Sequence, residues 1–477
     1  MIAQQLIAGL AGVAGAYALR FRRQRGSRTM RYEELGSYDW LGFDLDHCIC
    51  RYNLPELFPL IFECMRSFLL EERGYDATDP ENGPLVGLRW AEVAELCAKG
   101  VVLDLETGDA LRLSASGRVV QARHGLAQRA LSEAELDAAY GRERRWAHFE
   151  DLVGGVRSRS FFAFATFFDI PVLPLAMALV DQADGRAAAQ AAATTAAAPA
   201  PTPAERAARY AHIAPDLFAG FNWNFNTEAF GLRRGGFFAA LQDDVGRYVH
   251  RRPAVRRWLI AQRARGQRVL LGTNSHVEFA TLLLDHCFGA DWREALADVL
   301  VVNCLKPRWF AAGAADAPFY RLDEAGTREG ARVAPGAMAP GTAEVFVQGG
   351  LAALRQHAWF GAQATMLYFG DSYTSDVLPA RRAGLDAVLV LEELGDDCAL
   401  ASDGAAAHQE LRRLGCGLAL GAPADGAADQ QFLRQSKWGS FFLVRPASGG
   451  AAHLQYWAAL AQEAASCVIS SISDIVD

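Results

Sequence analysis

Two hydrophobic periods share this chain of 477 residues. Tyr38-Asp39-Trp40-Leu41-Gly42-Phe43 is a short, mostly apolar run and predicts a buried strand ending at Asp44. After a loop, Leu57, Ile61, Cys64, Met65, Phe68 and Leu69 recur at helical spacing, and Gly74 stops that helix. Val102 to Leu113 alternates apolar and polar positions around Thr107-Gly108-Asp109, a hairpin signal. From Val255 onward strand-like and helix-like runs alternate regularly. The strand-like runs are Arg268–Gly272, Asp298–Val302, Thr365–Phe369 and Ala387–Leu391, and a helix is expected over 276–288 after the first of them. Short runs of this kind suit a parallel sheet covered on both faces. The fold class expected is therefore α/β, with helices on both faces of the sheet.

The division expected from these patterns is an extension over 1–34, a core built from 35–75 and 251–400, a cap over 76–250 and a C-terminal extension over 401–477. Within the cap, residues 187–207 are almost entirely Ala, Pro, Thr and Gln. Such a stretch has too few large apolar groups to pack and reads as a disordered or partly helical surface insert.

Composition narrows the class. With 51% hydrophobic residues the chain can bury a sizeable core, and its net charge of −8 is spread without long runs of one sign. That excludes the basic footprint of a nucleic-acid binder. The nine cysteines show no metal-ligand spacing and no paired framework, which favours a reducing compartment. Residues 2–19 are mostly apolar and are followed by Arg20, Arg22, Arg23, Arg25, Arg28 and Arg31 with no acid before Glu33. A secretory signal wants its positive charge ahead of the apolar stretch, and none is there. A mitochondrial transit peptide, a membrane anchor and a plain extension all stay open, and membrane contact is expected only in the second case. The setting expected is intracellular, cytoplasmic or mitochondrial, and a homo-oligomer is left open.

In open parallel sheets ligands sit beyond the carboxyl ends of the strands. Four chemistry-bearing groups stand there in this chain. The first strand ends in Asp44-Leu45-Asp46, the second in Thr273-Asn274-Ser275, the third leads to Lys306, and the fourth ends in Gly370-Asp371 with Asp376 five residues on. Each alone is a weak signal, but four in succession match the needs of phosphoryl transfer. That reaction takes an in-line nucleophile, charge neutralisation on the phosphoryl oxygens and a group to manage the leaving-group proton. Asp44 suits the nucleophile and Asp46 the general acid and base. Mg²⁺, which prefers one or two carboxylates plus substrate oxygens and water, would be held by Asp44, Asp371 and the Asp46 backbone carbonyl. Thr273, Asn274 and Lys306 would hold the phosphate, with Lys306 also steadying the intermediate and Asp376 orienting Lys306 or a metal-bound water. The phenylalanines of Phe161–Phe168 are chiefly core in this reading, with base stacking as their functional alternative.

The ordered set Asp-x-Asp, Thr, Lys and Gly-Asp-x-x-x-x-Asp resembles the four-part signature of the haloacid dehalogenase superfamily. Gly42-Phe43-Asp44-Leu45-Asp46-His47, Cys50-Arg51-Tyr52-Asn53-Leu54-Pro55, Gly246-Arg247-Tyr248-Val249-His250 and Lys437-Trp438-Gly439-Ser440-Phe441-Phe442 are similar to stretches of its 5′-nucleotidase family. The resemblance runs from about Tyr38 to Phe442. It implies a Rossmann-like core with an inserted α+β cap, Mg²⁺, and a covalent aspartyl-phosphate. Asp46 favours phosphoryl over dehalogenase chemistry. The expected activity is a Mg²⁺-dependent phosphomonoesterase acting on a small phosphorylated substrate, a nucleoside monophosphate first. The alternative is a fold kept for binding or scaffolding, although binding alone has no need of Asp46.

Overall fold

The computed structural model describes residues 35–76, 83–126, 129–154, 158–192, 202–314, 317–323, 329–334, 337–338, 341, 344–393 and 436–476. In chain order the strands begin with β1 (Trp40–Phe43), then β2 (Val101–Asp104), β3 (Asp109–Leu113), β4 (Val119–His124) and β5 (Phe161–Phe164). They continue with β6 (Arg268–Gly272), β7 (Val299–Val302), β8 (Phe319–Leu322), β9 (Glu329–Arg332) and β10 (Val345–Gln348). The last are β11 (Met366–Gly370), β12 (Asp386–Val390), β13 (Leu443–Val444), β14 (His453–Leu454) and β15 (Cys467–Ile469).

Nine of these form one sheet in the order β15-β12-β11-β1-β6-β7-β10-β8-β9. Every neighbour from β15 to β10 pairs in parallel, and β8 and β9 add an antiparallel margin. All four residues of β1 are buried, as expected for a central parallel strand with both faces covered. The chain leaves β1, enters the sheet again at β6, moves outward through β7 and β10, then returns to the other side of β1 at β11. The order therefore reverses beside β1, and a crevice opens at the carboxyl ends of β1 and β11.

Gly42 makes this centre tight. A Cβ there would sit 2.7 Å from the Tyr368 ring, so only glycine lets that ring lie against β1. The helix Leu54–Glu71 follows with Pro55 in its first turn and buries Leu57, Ile61, Met65 and Leu69 on one face.

The inserted layer carries a four-stranded antiparallel sheet, β4-β3-β2-β5, with Val102 opposite Leu111 in the expected hairpin. Its helix Leu173–Ala192 runs into the alanine-rich stretch and another starts at Pro203, so the flanks of that stretch are helical while residues 193–201 lie outside the described residues. Residues 1–34, with the apolar run and its arginines, also lie outside them. Among the described residues no helix is long and apolar enough to cross a membrane.

The C-terminal segment ties the two layers together. Trp438 Nε1 donates to Leu96 O at 2.7 Å, and the fully buried Arg112 donates to Lys99 O and Ser440 O. Gln455 Nε2 reaches Gly100 O at 3.3 Å, and β15 then pairs with β12 as an edge of the core sheet.

The inserted layer also holds a charge-linked pin. His124 Nδ1 lies 2.7 Å from Asp109 and Nε2 lies 2.8 Å from Asp184, which also takes Arg209 and the Tyr210 hydroxyl. The bond to Asp109 and then that to Asp184 outweigh burial and raise the imidazole pKa to about 9. A raised folded-state value stabilises the fold fully below the unfolded value, and the contribution disappears as pH rises through about 9. His124→Gln should therefore lower the melting temperature at pH 6 and leave it near the parent's above pH 9.5. Equal losses at both pH values would remove the charged pin from the account.

Candidate active site

Asp44 follows β1 directly, and its N–H extends the β1–β11 pairing by donating to Phe369 O at 2.8 Å. Its carboxylate accepts from the Leu45 N–H at 2.7 Å. Lys306 Nζ lies 2.7 Å from Asp44 Oδ1 and 2.7 Å from Asp376 Oδ1, and it reaches the Tyr368 hydroxyl at 3.3 Å. Burial would strip the proton from this amine. Asp376 and Asp44 overcome that and hold its pKa well above the ordinary lysine value. The ammonium is thus fixed between two carboxylates.

Its placement comes from the loop after β7. Lys306 N–H donates to Asn274 Oδ1 at 2.6 Å, and Asn274 Nδ2 returns a bond to Lys306 O at 3.1 Å. Asp376 sits in a single π-turn, Tyr373–Val377, where its N–H bonds Ser372 O at 3.0 Å. Gly370 makes the turn fit, since a Cβ there would lie 2.3 Å from the Asp376 Cβ. That gives a physical reason for the Gly-Asp-x-x-x-x-Asp spacing.

Asp46 is held differently. The Tyr52 hydroxyl donates to its Oδ1 at 2.5 Å and the Ser275 hydroxyl to its Oδ2 at 2.7 Å. Burial, and next the negative charge of Asp44, raise its pKa; the Tyr52 and Ser275 bonds pull the other way without cancelling them. A carboxyl with this balance keeps a proton more readily than an exposed one.

A cavity of about 60 Å³ joins these groups, lined by Asp44, Asp46, His47, Asn274, Lys306 and Asp371 together with Ser372, Ser375 and Asp376. Thr166 and Phe168 close it from the inserted layer. Six of the seven residues singled out in the sequence thus meet in one place. Thr273 does not line it: the side chain is buried and its hydroxyl oxygen accepts the Ser275 N–H at 3.0 Å, so Asn274 faces the cavity instead. Of the phenylalanines Phe161, Phe162, Phe164, Phe167 and Phe168, all are buried and only Phe168 reaches the cavity. Arg51 lies outside it, 3.7 Å from Glu392.

Carboxylate oxygens of Asp44, Asp371 and Asp376 fall within 4.8 Å of one another. Burial, then the charges of Asp44 and Asp376, raise the Asp371 pKa well above the carboxylate range. A concentrated negative charge built from hard oxygen donors is what a small divalent cation relieves. The residues present therefore fit Mg²⁺.

Neither apolar periodicity nor motif spacing marks Tyr52, Ser275 or Tyr368 as site residues. Ser275 lies inside the Thr-Asn-Ser tripeptide, and Tyr52 lies six residues beyond Asp46. Nothing local marks either as a partner of Asp46. His47 also lines the cavity, with a left-handed φ of 54°, its ring 4.6 Å from Tyr52 and its Nδ1 3.6 Å from Glu392.

A profile of the 5′ nucleotidase family matches residues 29–417. The chain is 31% identical over 420 residues to human (Homo sapiens) 5′-nucleotidase domain-containing protein 1, covering 86% of this chain and 82% of that protein. It is equally similar, 31% over 418 residues with the same coverage, to the protein of that name from cattle (Bos taurus). With a match this long, the chain belongs to the 5′-nucleotidase family and is a phosphatase-type hydrolase.

Proposed function

We propose that the protein hydrolyses a small phosphate monoester, a nucleoside 5′-monophosphate first among candidates, through an aspartyl-phosphate on Asp44. The observation that carries this reading is the Lys306 ammonium clamped between Asp44 and Asp376, with Asp46 beside it. Asp44 and Asp371, with the Asp46 carbonyl, would hold Mg²⁺, and Asp376 is within reach of the same point. When bound, the ion would supply the charge neutralisation that lets a carboxylate approach a phosphate.

The residues then divide the work. An Asp44 oxygen attacks phosphorus, the ester P–O bond breaks, and Asp46 gives its proton to the departing oxygen. Water next attacks the phosphorus, the Asp44–phosphorus bond breaks, and Asp46 takes the water's proton. Tyr52 and Ser275 keep the Asp46 carboxyl aimed through both halves. Lys306 and Asn274 face the phosphoryl oxygens. A cavity of about 60 Å³ suits a phosphoryl group rather than a whole nucleotide, so the leaving group extends past Thr166 and Phe168.

The test is phosphate release from a panel of phosphate monoesters with Mg²⁺ and with chelator. Turnover of nucleoside monophosphates that stops on chelation is expected. Absence of phosphate release from every panel member with Mg²⁺ present would refute the reading.

A further inference from the structure

We propose that a second anion site, apart from the catalytic cavity, lies at the amino end of the helix Pro253–Ala264 and takes a compact phosphate-bearing anion, inorganic phosphate or diphosphate. A cavity of about 240 Å³ opens there, lined by Arg51, His250, Arg251, Arg252, Ser473 and the first turn of that helix. Among the described residues no carboxylate lines it. That volume leaves room for a compact anion such as diphosphate.

Arg51, Arg251 and Arg252 crowd this cavity, and Glu392, which does not line it, pairs with Arg51 at 3.7 Å. Arg252 is 6% exposed, and its Nε has no hydrogen-bond partner. Its guanidinium donates to Ser471 Oγ at 3.2 Å, which brings no charge. Arg51 Nε has an ion pair with Glu392 at 3.7 Å, too long for a hydrogen bond, and has no hydrogen-bond partner. Burial and the nearby Arg51 both lower the Arg252 pKa. Glu392 relieves part of this charge crowding, and a bound anion would relieve more of it.

The helix adds its own donors. It is twelve residues long, it starts with Pro253, and no side chain caps it. The N–H groups of Ala254 and Val255 therefore belong to the end that lacks intrahelical acceptors and carries the positive pole. Arginine forks and free helix N–H groups together match a phosphate.

Arg51 also connects this cavity to the catalytic one. Glu392 pairs with Arg51 on one side and faces His47 on the other, and His47 lines the catalytic cavity. An anion that claims Arg51 competes with Glu392 for it.

Calorimetric titration of the full chain with inorganic diphosphate, at constant ionic strength and without added metal, tests the site. Arg251 is exposed, so Arg251→Glu keeps the fold. It should weaken binding by about tenfold to a hundredfold, the loss expected for one charge-assisted hydrogen bond. Tungstate soaked into crystals should give a peak between Arg51 and Arg252. Unchanged affinity in Arg251→Glu, or tungstate confined to the catalytic cavity, would overturn the proposal.

Discussion

Asp44→Asn is expected to abolish both turnover and phosphoenzyme, whereas Asp46→Asn should slow turnover by about 10²–10⁴-fold and leave the phosphoenzyme detectable. The two aspartates are two residues apart, yet they face different partners. Asp44 touches Lys306 and shares a carboxylate cluster with Asp371 and Asp376. On the proposed mechanism its loss would remove the attacking oxygen and a metal donor together. Asp46 has both oxygens engaged by Tyr52 and Ser275. On the same mechanism its loss would remove proton transfer but leave the nucleophile and the backbone carbonyl. An aryl phosphate needs little protonation to depart, so with that substrate Asp46→Asn should still form the adduct and then release it slowly. Mass spectrometry of acid-quenched protein locates the phosphate. An adduct on any residue other than Asp44, or undiminished turnover in Asp44→Asn, would remove Asp44 from the nucleophile's role.

Lys306→Met should lower folding stability by about 3–5 kcal/mol as well as activity, because it leaves buried carboxylates without their cation. Methionine fills much of the same volume, so lost packing contributes little. The cost is electrostatic: Asp376 is fully buried, with Lys306 at 2.7 Å as its charged partner. Neutralising that carboxylate should therefore return part of the loss, and Lys306→Met/Asp376→Asn should melt above Lys306→Met alone. Neither variant should recover activity, since on the proposed mechanism the phosphoryl oxygens would lose their ammonium in both. Denaturant titration of the three proteins settles it. A double variant no more stable than the single one would mean that Lys306 supports the fold by packing instead.

How much of this was legible beforehand follows from the range of each interaction. Periodicity placed five of the core strands within a residue or two but did not mark β10, and it succeeded where strands buried on both faces are apolar throughout, as in Val299–Val302 and Met366–Gly370. The residue types after those strands pointed to phosphoryl chemistry, and the long family match agrees with that class. Tertiary structure alone decided the rest. Strand order brought Asp371 beside Asp44, and a contact across 70 residues set Lys306 on Asp376. Loop packing gave Asp46 its Tyr52 and Ser275 partners and turned Asn274, not Thr273, toward the cavity. The segment expected as a C-terminal extension carries β15, which pairs with β12 at the sheet edge. Local sequence determines which faces are apolar and which chemistry a loop carries. Which loops meet depends on long-range pairing of backbone and core, and that has no period along the chain.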